Sequence, residues 1–358
     1  MKRLLATLLL AVLAGFALHA AGTLDVYFID VGQGDAILID YGTYEVLIDG
    51  GSDGSCIPIL AEYVDGYLEV VVATHPHSDH IGGLDDVLRA FDVLQVVTNG
   101  ASAETNSYRN FAAVAISEVS QTRIVHRNDQ IKLSDLVLQI LHPHELSGDA
   151  NEDSVVLQLT YGEVSFLFTG DIGEEAEIEL LSMSCLSDID ILKVAHHGSR
   201  YSSTQSFLDV VQPELAVYSA GVGNRYGHPH DETLGRLDAS GALTLGTDVH
   251  GTIRVSTDGE TWSVTDLLGT VLGGDAQADG VDLCQICIDR LNSATYDDFR
   301  RIDLVGAVRG TNLVAAQPFS LSICAGAASI ESMLDAVSQI GETLRERIAR
   351  HFCPELYE

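Results

Sequence analysis

The sequence predicts an α/β protein: a sandwich of two mixed β-sheets with helices on its outer faces, followed by a small all-α domain. Three observations carry that expectation. Short apolar runs broken by Gly and Asp turns recur from Leu24 to Ser256 in two blocks, with segments of helical period among them. Acidic residues or histidines repeatedly stand where such a run ends, which is where open sheets place their sites. From Gly269 the composition turns to Gly, Ala and Asp, and then to short helical segments. At 358 residues, with 46% apolar and 6% aromatic content, the chain is long enough for one large ordered domain and a smaller one.

The chain opens on a targeting segment, residues 1–21. Lys2-Arg3 supplies a positive start, Leu4 to Leu18 an apolar stretch, and Ala20-Ala21-Gly22 the small residues of a cleavage site. Cleavage there gives an exported chain starting near Gly22-Thr23, with no stable membrane insertion afterwards; an uncleaved anchor is the alternative. No later stretch reaches the roughly 20 apolar residues of a membrane span. Runs of Val, Ile, Leu and aromatic residues bounded by turn formers then predict strands at 24–30, 36–40 and 45–48. Residues 57–65 repeat apolar positions at helical spacing. Strands follow at 69–73 and 94–98 around a helix at 84–91, then at 122–125, 130–132, 136–141, 154–159 and 164–168. A helix at 174–181, strands at 189–194, 215–218, 243–246 and 251–256, and a helix near 231–239 complete a body spanning residues 23–268. Residues 269–281 read as a linker and 282–353 as the second domain.

The charge balance is lopsided: 19 Lys+Arg face 52 Asp+Glu, for a net charge of −33. The lysines are Lys2, Lys132 and Lys193. Such a surface fits adaptation to high salt, where dense charge is screened, or simple solubility after export. Either way it disfavours a bulk polyanionic partner at low ionic strength.

The chemistry concentrates in Thr74-His75-Pro76-His77-Ser78-Asp79-His80-Ile81-Gly82-Gly83, directly after the apolar run Val70-Val71-Val72-Ala73. Side chains at the mouth of one strand cannot all face one ion. His75, His77 and Asp79 differ in direction from His80, so the stretch suits two neighbouring cations, and imidazole with carboxylate suits zinc, manganese or iron. Further strand ends carry Asp30, Asp49, Asp171 and His196-His197. Each alone reads as a turn former or cap; together they point to one convergent site.

These residues lie in longer motifs: Phe28-Ile29-Asp30-Val31-Gly32-Gln33-Gly34-Asp35-Ala36, Leu47-Ile48-Asp49-Gly50-Gly51 and Asn151-Glu152-Asp153-Ser154-Val155-Val156-Leu157. Thr169-Gly170-Asp171, Ala195-His196-His197-Gly198-Ser199 and Asn224-Arg225-Tyr226-Gly227-His228-Pro229-His230 complete the set. With the histidine stretch they resemble the metallo-β-lactamase superfamily, and within it the soluble domain of ComEC-type DNA-uptake proteins, over about Thr23 to Leu268. The resemblance implies an αββα sandwich with two divalent metal ions, zinc or manganese, between the sheets. It implies His75 and His77 on one ion, Asp79 and His80 on the other, and Asp171 bridging. The His196-His197 pair would close the second position, with His196 the direct ligand. Asp49 is expected to orient a histidine ring, and His228 to touch the substrate at the mouth.

The sequence departs from that pattern in one place. Many superfamily members carry a further histidine where this chain has Asn151-Glu152-Asp153-Ser154. Asn151 or a water would stand in, with His142 and His144 as other candidates; weaker binding of one ion and a preference for manganese over zinc are expected. The implied chemistry is hydrolysis by a metal-bound hydroxide, with Asp79 and Asp171 orienting it. A phosphodiester, DNA above all, is the expected substrate. The alternatives are a lactam, a lactone or a nucleotide, or a non-catalytic role in DNA binding or surface assembly.

Beyond the linker, Leu291 to Ile302 reads as a capped amphipathic helix, and turns at Leu304 to Gly310 and Ser338 to Leu344 separate further helices. This resembles tandem helix-hairpin-helix modules of secreted competence DNA receptors, whose hairpin amides face phosphate. The first hairpin glycines are replaced by Leu304 and Gln339, and Glu342 follows Gly341. A helical packing domain is the alternative. The cysteines are Cys56, Cys185, Cys284, Cys287, Cys324 and Cys353. Disulfides among the last four are expected, with a zinc site as the alternative.

Overall fold

The computed structural model describes residues 22–119, 121–134, 136–183 and 186–274. The expected leader, the helix-hairpin-helix domain and the cysteines from Cys185 onward lie outside them. Among the described residues, no helix is long and apolar enough to cross a membrane.

The strands run in chain order through two sheets. The first takes β1 (Leu24–Phe28), β2 (Ile37–Asp40), β3 (Glu45–Ile48), β4 (Leu68–Ala73), β5 (Val93–Thr98) and β6 (Gln121–Ile124). The second takes β7 (Gln130–Leu133), β8 (Leu136–His142), β9 (Val156–Tyr161), β10 (Val164–Phe168), β11 (Ile191–Lys193), β12 (Leu215–Tyr218) and β13 (Leu243–Gly246). The chain then returns to the first sheet with β14 (Ile253–Thr257), β15 (Trp262–Asp266) and β16 (Val271–Gly274). The orders are β16-β15-β14-β1-β2-β3-β4-β5-β6 and β13-β12-β11-β10-β9-β8-β7. Both sheets are mixed: β1 to β3 pair antiparallel and β3 to β6 parallel, while β7 to β10 pair antiparallel and β10 to β13 parallel.

Helices cover both outer faces. Against the first sheet lie α1 (Ile57–Tyr63), α2 (Ser78–Ile81), α3 (Leu84–Ala90) and α4 (Asn106–Glu118). The second sheet carries α5 (Glu174–Ser182), α6 (Gln205–Val211) and α7 (Asp231–Ser240), with the short α8 (Thr247–His250) beyond β13. Three apolar layers result. Leu24, Val26, Phe28, Phe166 and Phe168 fill the space between the sheets, where the Phe28 and Phe168 rings meet at 6.4 Å. Tyr27 and Ile29 face α1 to α4 on one side, and Leu167 and Leu192 face α5 to α7 on the other. Strands buried on both faces read as continuous apolar runs, which is why so many were visible in the sequence.

Six elements were not, the one-turn helices α2 and α8 among them. Helix α4 is capped by Thr105, whose hydroxyl accepts from Tyr108 N–H, and buries Phe111, Val114 and Ala115. Helix α6 is capped likewise by Thr204 and buries Phe207, Leu208 and Val211. Strand β15 follows a turn, and β16 occupies part of the stretch read as linker. Leu272 gives the reason: it is buried in the layer between the sheets despite its glycine-rich surroundings.

Candidate metal centre

Strand ends of both sheets meet at one edge of the sandwich. Val155 N–H donates to Thr74 O (3.0 Å), and His196 N–H to Gly170 O (3.1 Å), which ties the end of β4 to the start of β9 and the end of β10 to the turn after β11. The loop before β2 is pinned there too: Asp35 N–H donates to Asp79 O at 3.1 Å. Gly34 has φ +143°, and a β-carbon on it would stand 2.2 Å from Asp79 O, so this approach needs glycine.

Asp49 leaves β3 with φ +58°, a conformation that a non-glycine residue adopts only when its surroundings impose it. Its carboxylate accepts from Thr74 N–H (2.8 Å), Thr74 Oγ1 (2.6 Å) and His80 Nδ1 (2.7 Å). Because the Thr74 hydroxyl donates to Asp49, it can only accept from His75 Nδ1, 3.1 Å away. His75 Nδ1 also lies 3.2 Å from Ser154 Oγ, which accepts from Asp171 N–H (3.1 Å). On the other side His197 Nδ1 donates to Ser219 O (3.0 Å) and lies 3.3 Å from Asp35 Oδ1. In His75, His80 and His197 the Nδ1 is thus engaged and Nε2 is left facing the centre.

Those nitrogens converge on Asp171. Its Oδ2 lies 3.2 Å from His80 Nε2, 3.4 Å from His197 Nε2 and 3.9 Å from both His75 Nε2 and His196 Nε2. His197 Nε2 is also 3.5 Å from Asp79 Oδ2. His77 Nδ1 lies 3.1 Å from His75 Nε2, with its ring exposed at the mouth. Of the last pair, His197 is buried and points at both carboxylates, whereas the expected direct ligand His196 is a quarter exposed. Both adopt left-handed backbone angles (φ 52° and 56°), which sets two consecutive side chains in directions a strand would not give.

The fit to a cation can be judged from these atoms. His80 Nε2, His197 Nε2 and Asp171 Oδ1 are buried without a hydrogen-bond partner, and each such group costs on the order of 1–3 kcal/mol if left so. Burial opposes a charge on either ring, yet Asp171 with Asp49 holds His80, and Asp171 with Asp35 holds His197, well above the ordinary imidazole range. Burial likewise opposes ionisation of Asp171, but His197 and His80 hold its carboxyl well below the usual range. The centre therefore calls for positive charge between the rings and the carboxylate. Asp35, His80, Asp171 and His197 offer ligand atoms within 4.8 Å of one another, a nitrogen and oxygen set that suits zinc, manganese or iron.

A cleft of about 350 Å³ opens above this cluster, lined among others by His77, Asp79, Asn151, Asp171, His196, Tyr226 and His228. Asn151 Oδ1 and His228 Nδ1 are buried there without a partner. The other residues of the Asn151 motif have different tasks. Glu152 caps α5 by accepting from Gly173 and Ala176 N–H, Asp153 accepts from Ser147 and Gly148 N–H, and Ser154 bridges His75 and Asp171. His142 turns its Nε2 to Glu152 O (2.7 Å) and His144 is exposed, so neither takes the place of the missing histidine.

Three residues of the centre were not singled out from the sequence. Asp35 sits between His197 and Lys193, whose Nζ is 2.7 Å from Asp35 Oδ2 and also donates to Val194 O (3.0 Å). Lys193 is 1% and Asp35 2% exposed. The third is Ser154. Only Asp35 carried a signal, as one more acidic residue after a Gly-x-Gly turn.

Fold and centre define a class. The profile of the Metallo-beta-lactamase superfamily matches residues 29–222, and the chain belongs to that superfamily. More particularly, it resembles competence proteins. It is 32% identical over 258 residues to ComE operon protein 3 of Bacillus subtilis (strain 168), covering 64% of this chain and 32% of the relative. It is 32% identical over 242 residues to Recombination protein 2 of Haemophilus influenzae, covering 65% and 29%. The chain thus spans about a third of the length of these curated relatives. Among solved structures, Igni18, a metallo hydrolase from Ignicoccus hospitalis KIN4/I, is 16% identical with a TM-score of 0.45, covering 65% of this chain and 98% of that one.

Proposed function

We propose that the chain is a metal-dependent phosphodiesterase acting on DNA. The observation that carries the reading is the convergence of four Nε2 nitrogens on Asp171 Oδ2, with unpartnered atoms on His80, His197 and Asp171. His75 and His77 would hold one divalent cation, Asp79, His80 and His197 a second, and Asp171 would lie between them. Such a pair, when bound, lowers the pKa of a coordinated water towards neutrality and offsets charge on the transferred group.

The chain's own residues do the positioning. Asp49 fixes the His80 ring, and the Ser219 carbonyl with the Asp35 carboxylate beside it fixes the His197 ring, so that neither rotates away from the centre. Asp79 and Asp171 can orient an attacking water and accept its proton. Asn151, His196 and His228 face the cleft and can contact the substrate. DNA as substrate is supported by the name of one relative, which speaks of recombination. The leader expected in residues 1–21 fits action outside the cytoplasm.

The test is cleavage of single- and double-stranded DNA with manganese or zinc, at low and high salt. A chelator is expected to abolish cleavage, and Asp171→Asn to lower it at least about 100-fold without unfolding the chain. No cleavage under any condition, with turnover of a chromogenic lactam instead, overturns the reading. Tight DNA binding without turnover of either substrate overturns it in favour of a binding protein.

A further inference from the structure

The loop after β12 carries an arrangement that the metal centre does not use. Asn224 staples it: Oδ1 accepts from Tyr226 N–H and His228 N–H (both 3.1 Å), and Nδ2 donates to Gly221 O (3.0 Å) and to His228 O. On this fixed turn the rings form a column. His228 stacks on His197 with centroids 6.0 Å apart, Tyr226 on His228 at 5.7 Å, and the Arg225 guanidinium lies 4.7 Å over the Tyr226 ring, with Nη2 donating to the Tyr226 hydroxyl. The column runs from the buried His197 ring, 3.4 Å from Asp171, outwards through Tyr226, and ends in a cation.

Arg225 is unusual in this acidic chain. Arg89, Arg109, Arg123, Arg127, Arg200 and Arg254 each pair with a carboxylate, and Lys193 pairs with Asp35. Arg236 commits its donors to the carbonyls of Ser202 and Ser203. Among the described residues, Arg225 and Lys132 alone stand without such partners, and Lys132 lies on β7, an edge strand of the second sheet. A guanidinium held over an aromatic ring and bonded to its hydroxyl keeps its remaining donors in a fixed fork, which matches phosphate oxygens. With 52 acidic residues against 19 basic ones, any polyanion reaching the cleft needs such a local positive contact.

We infer that Arg225, carried on the Tyr226–His228 column, clamps a phosphate next to the one hydrolysed, so that the site reads polymeric rather than monomeric phosphodiesters. The inference rests on the phosphodiester reading above. Arg225 stands three stacked steps from His197, outside the lining of the cleft yet within the electrostatic reach of Asp79, where the next charge along a strand would pass. Tyr226 and His228 position the guanidinium, in the manner of aromatic and arginine pairs that track single strands.

The test is binding of a labelled, hydrolysis-resistant phosphorothioate single strand to the metal-loaded protein across a salt series. Arg225→Ala is expected to weaken binding about tenfold at low salt, and to reduce the slope of log affinity against log salt by about 0.7. Arg225→Lys, which keeps the charge and loses the stacked fork, is expected to keep the slope and recover part of the affinity. Unchanged affinity and slope in Arg225→Ala overturn the inference. So does an equal loss for an uncharged methylphosphonate strand, or a wild type that binds neither strand. DNA cleavage by the wild type, measured in parallel, separates the two readings. Loss of binding in Arg225→Ala with no cleavage by the wild type leaves the clamp standing and removes the hydrolase; cleavage with unaltered binding does the reverse.

Discussion

Replacing Lys193 by methionine removes the buried cation behind the metal centre at little change in volume. The lysine Nζ is 2.7 Å from Asp35 Oδ2, and both side chains are almost wholly inaccessible. Burial opposes ionisation of Asp35, and Lys193, with His197, is what holds its carboxyl low. Losing one partner of such a pair costs about 3–5 kcal/mol, because the other charge stays buried alone. At about 2–4 °C per kcal/mol for a domain of this size, the melting temperature is expected to fall by about 6–20 °C. Adding Asp35→Asn removes the stranded charge, so the double variant should recover at least about 2 kcal/mol relative to the sum of the singles. Cation affinity should not recover with it, since His197 has lost its orienting carboxylate; a deficit of about 10–100-fold is expected to persist. Thermal melts and competition with a calibrated chelator measure the two quantities separately. A Lys193→Met protein melting within about 2 °C of wild type, or strictly additive singles, refutes the reasoning.

Two further expectations concern Glu45 and Gly170. Glu45 is buried, with Oε1 unpartnered, and burial together with Glu69, Asp65 and Asp40 pushes its carboxyl up to about 8. The folded chain therefore holds a proton that the unfolded chain releases above the ordinary value of 4.5, and stability falls as pH rises from about 4.5 to about 8. Glu45→Gln should melt higher than wild type at pH 8.5 and like wild type near pH 4.5; equal melting at pH 8.5 counts against the assignment. Gly170 has φ +53°, and a β-carbon on it would stand 2.9 Å from Ser154 Cβ. Gly170→Ala should cost about 1–3 kcal/mol and weaken cation binding by displacing Ser154 from Asp171 and His75. Wild-type melting and metal content in that variant contradict the role given to Ser154.

The sandwich was legible because most of its strands are buried on both faces and read as uninterrupted apolar runs. Helices α4 and α6 were not, although Phe111, Val114 and Ala115, and Phe207, Leu208 and Val211, recur at helical spacing, and their threonine caps are the clearest local signals. Strand β16 looked like linker because glycine and aspartate surround Leu272. At the site, His75, His77, Asp79, His80, Asp171 and His228 were visible as reactive residues at strand ends or in motifs. Whether His196 or His197 turns inward depends on two left-handed residues, which no local pattern announces. Lys193 was hidden for another reason: a lysine in a strand ordinarily faces water, and its partner Asp35 belongs to the other sheet's first loop.

The tie between Thr74 and Val155 joins the two sheets, that between Gly170 and His196 lies within the second, and the two halves of the cluster thus stand on different sheets. A chain emerging from the ribosome exposes the His75–His80 stretch long before His197 exists. No competent centre can form until the second sheet has folded and closed on the first. The centre is in this sense born latent, and a cation held by both halves would bind only once the sandwich has closed.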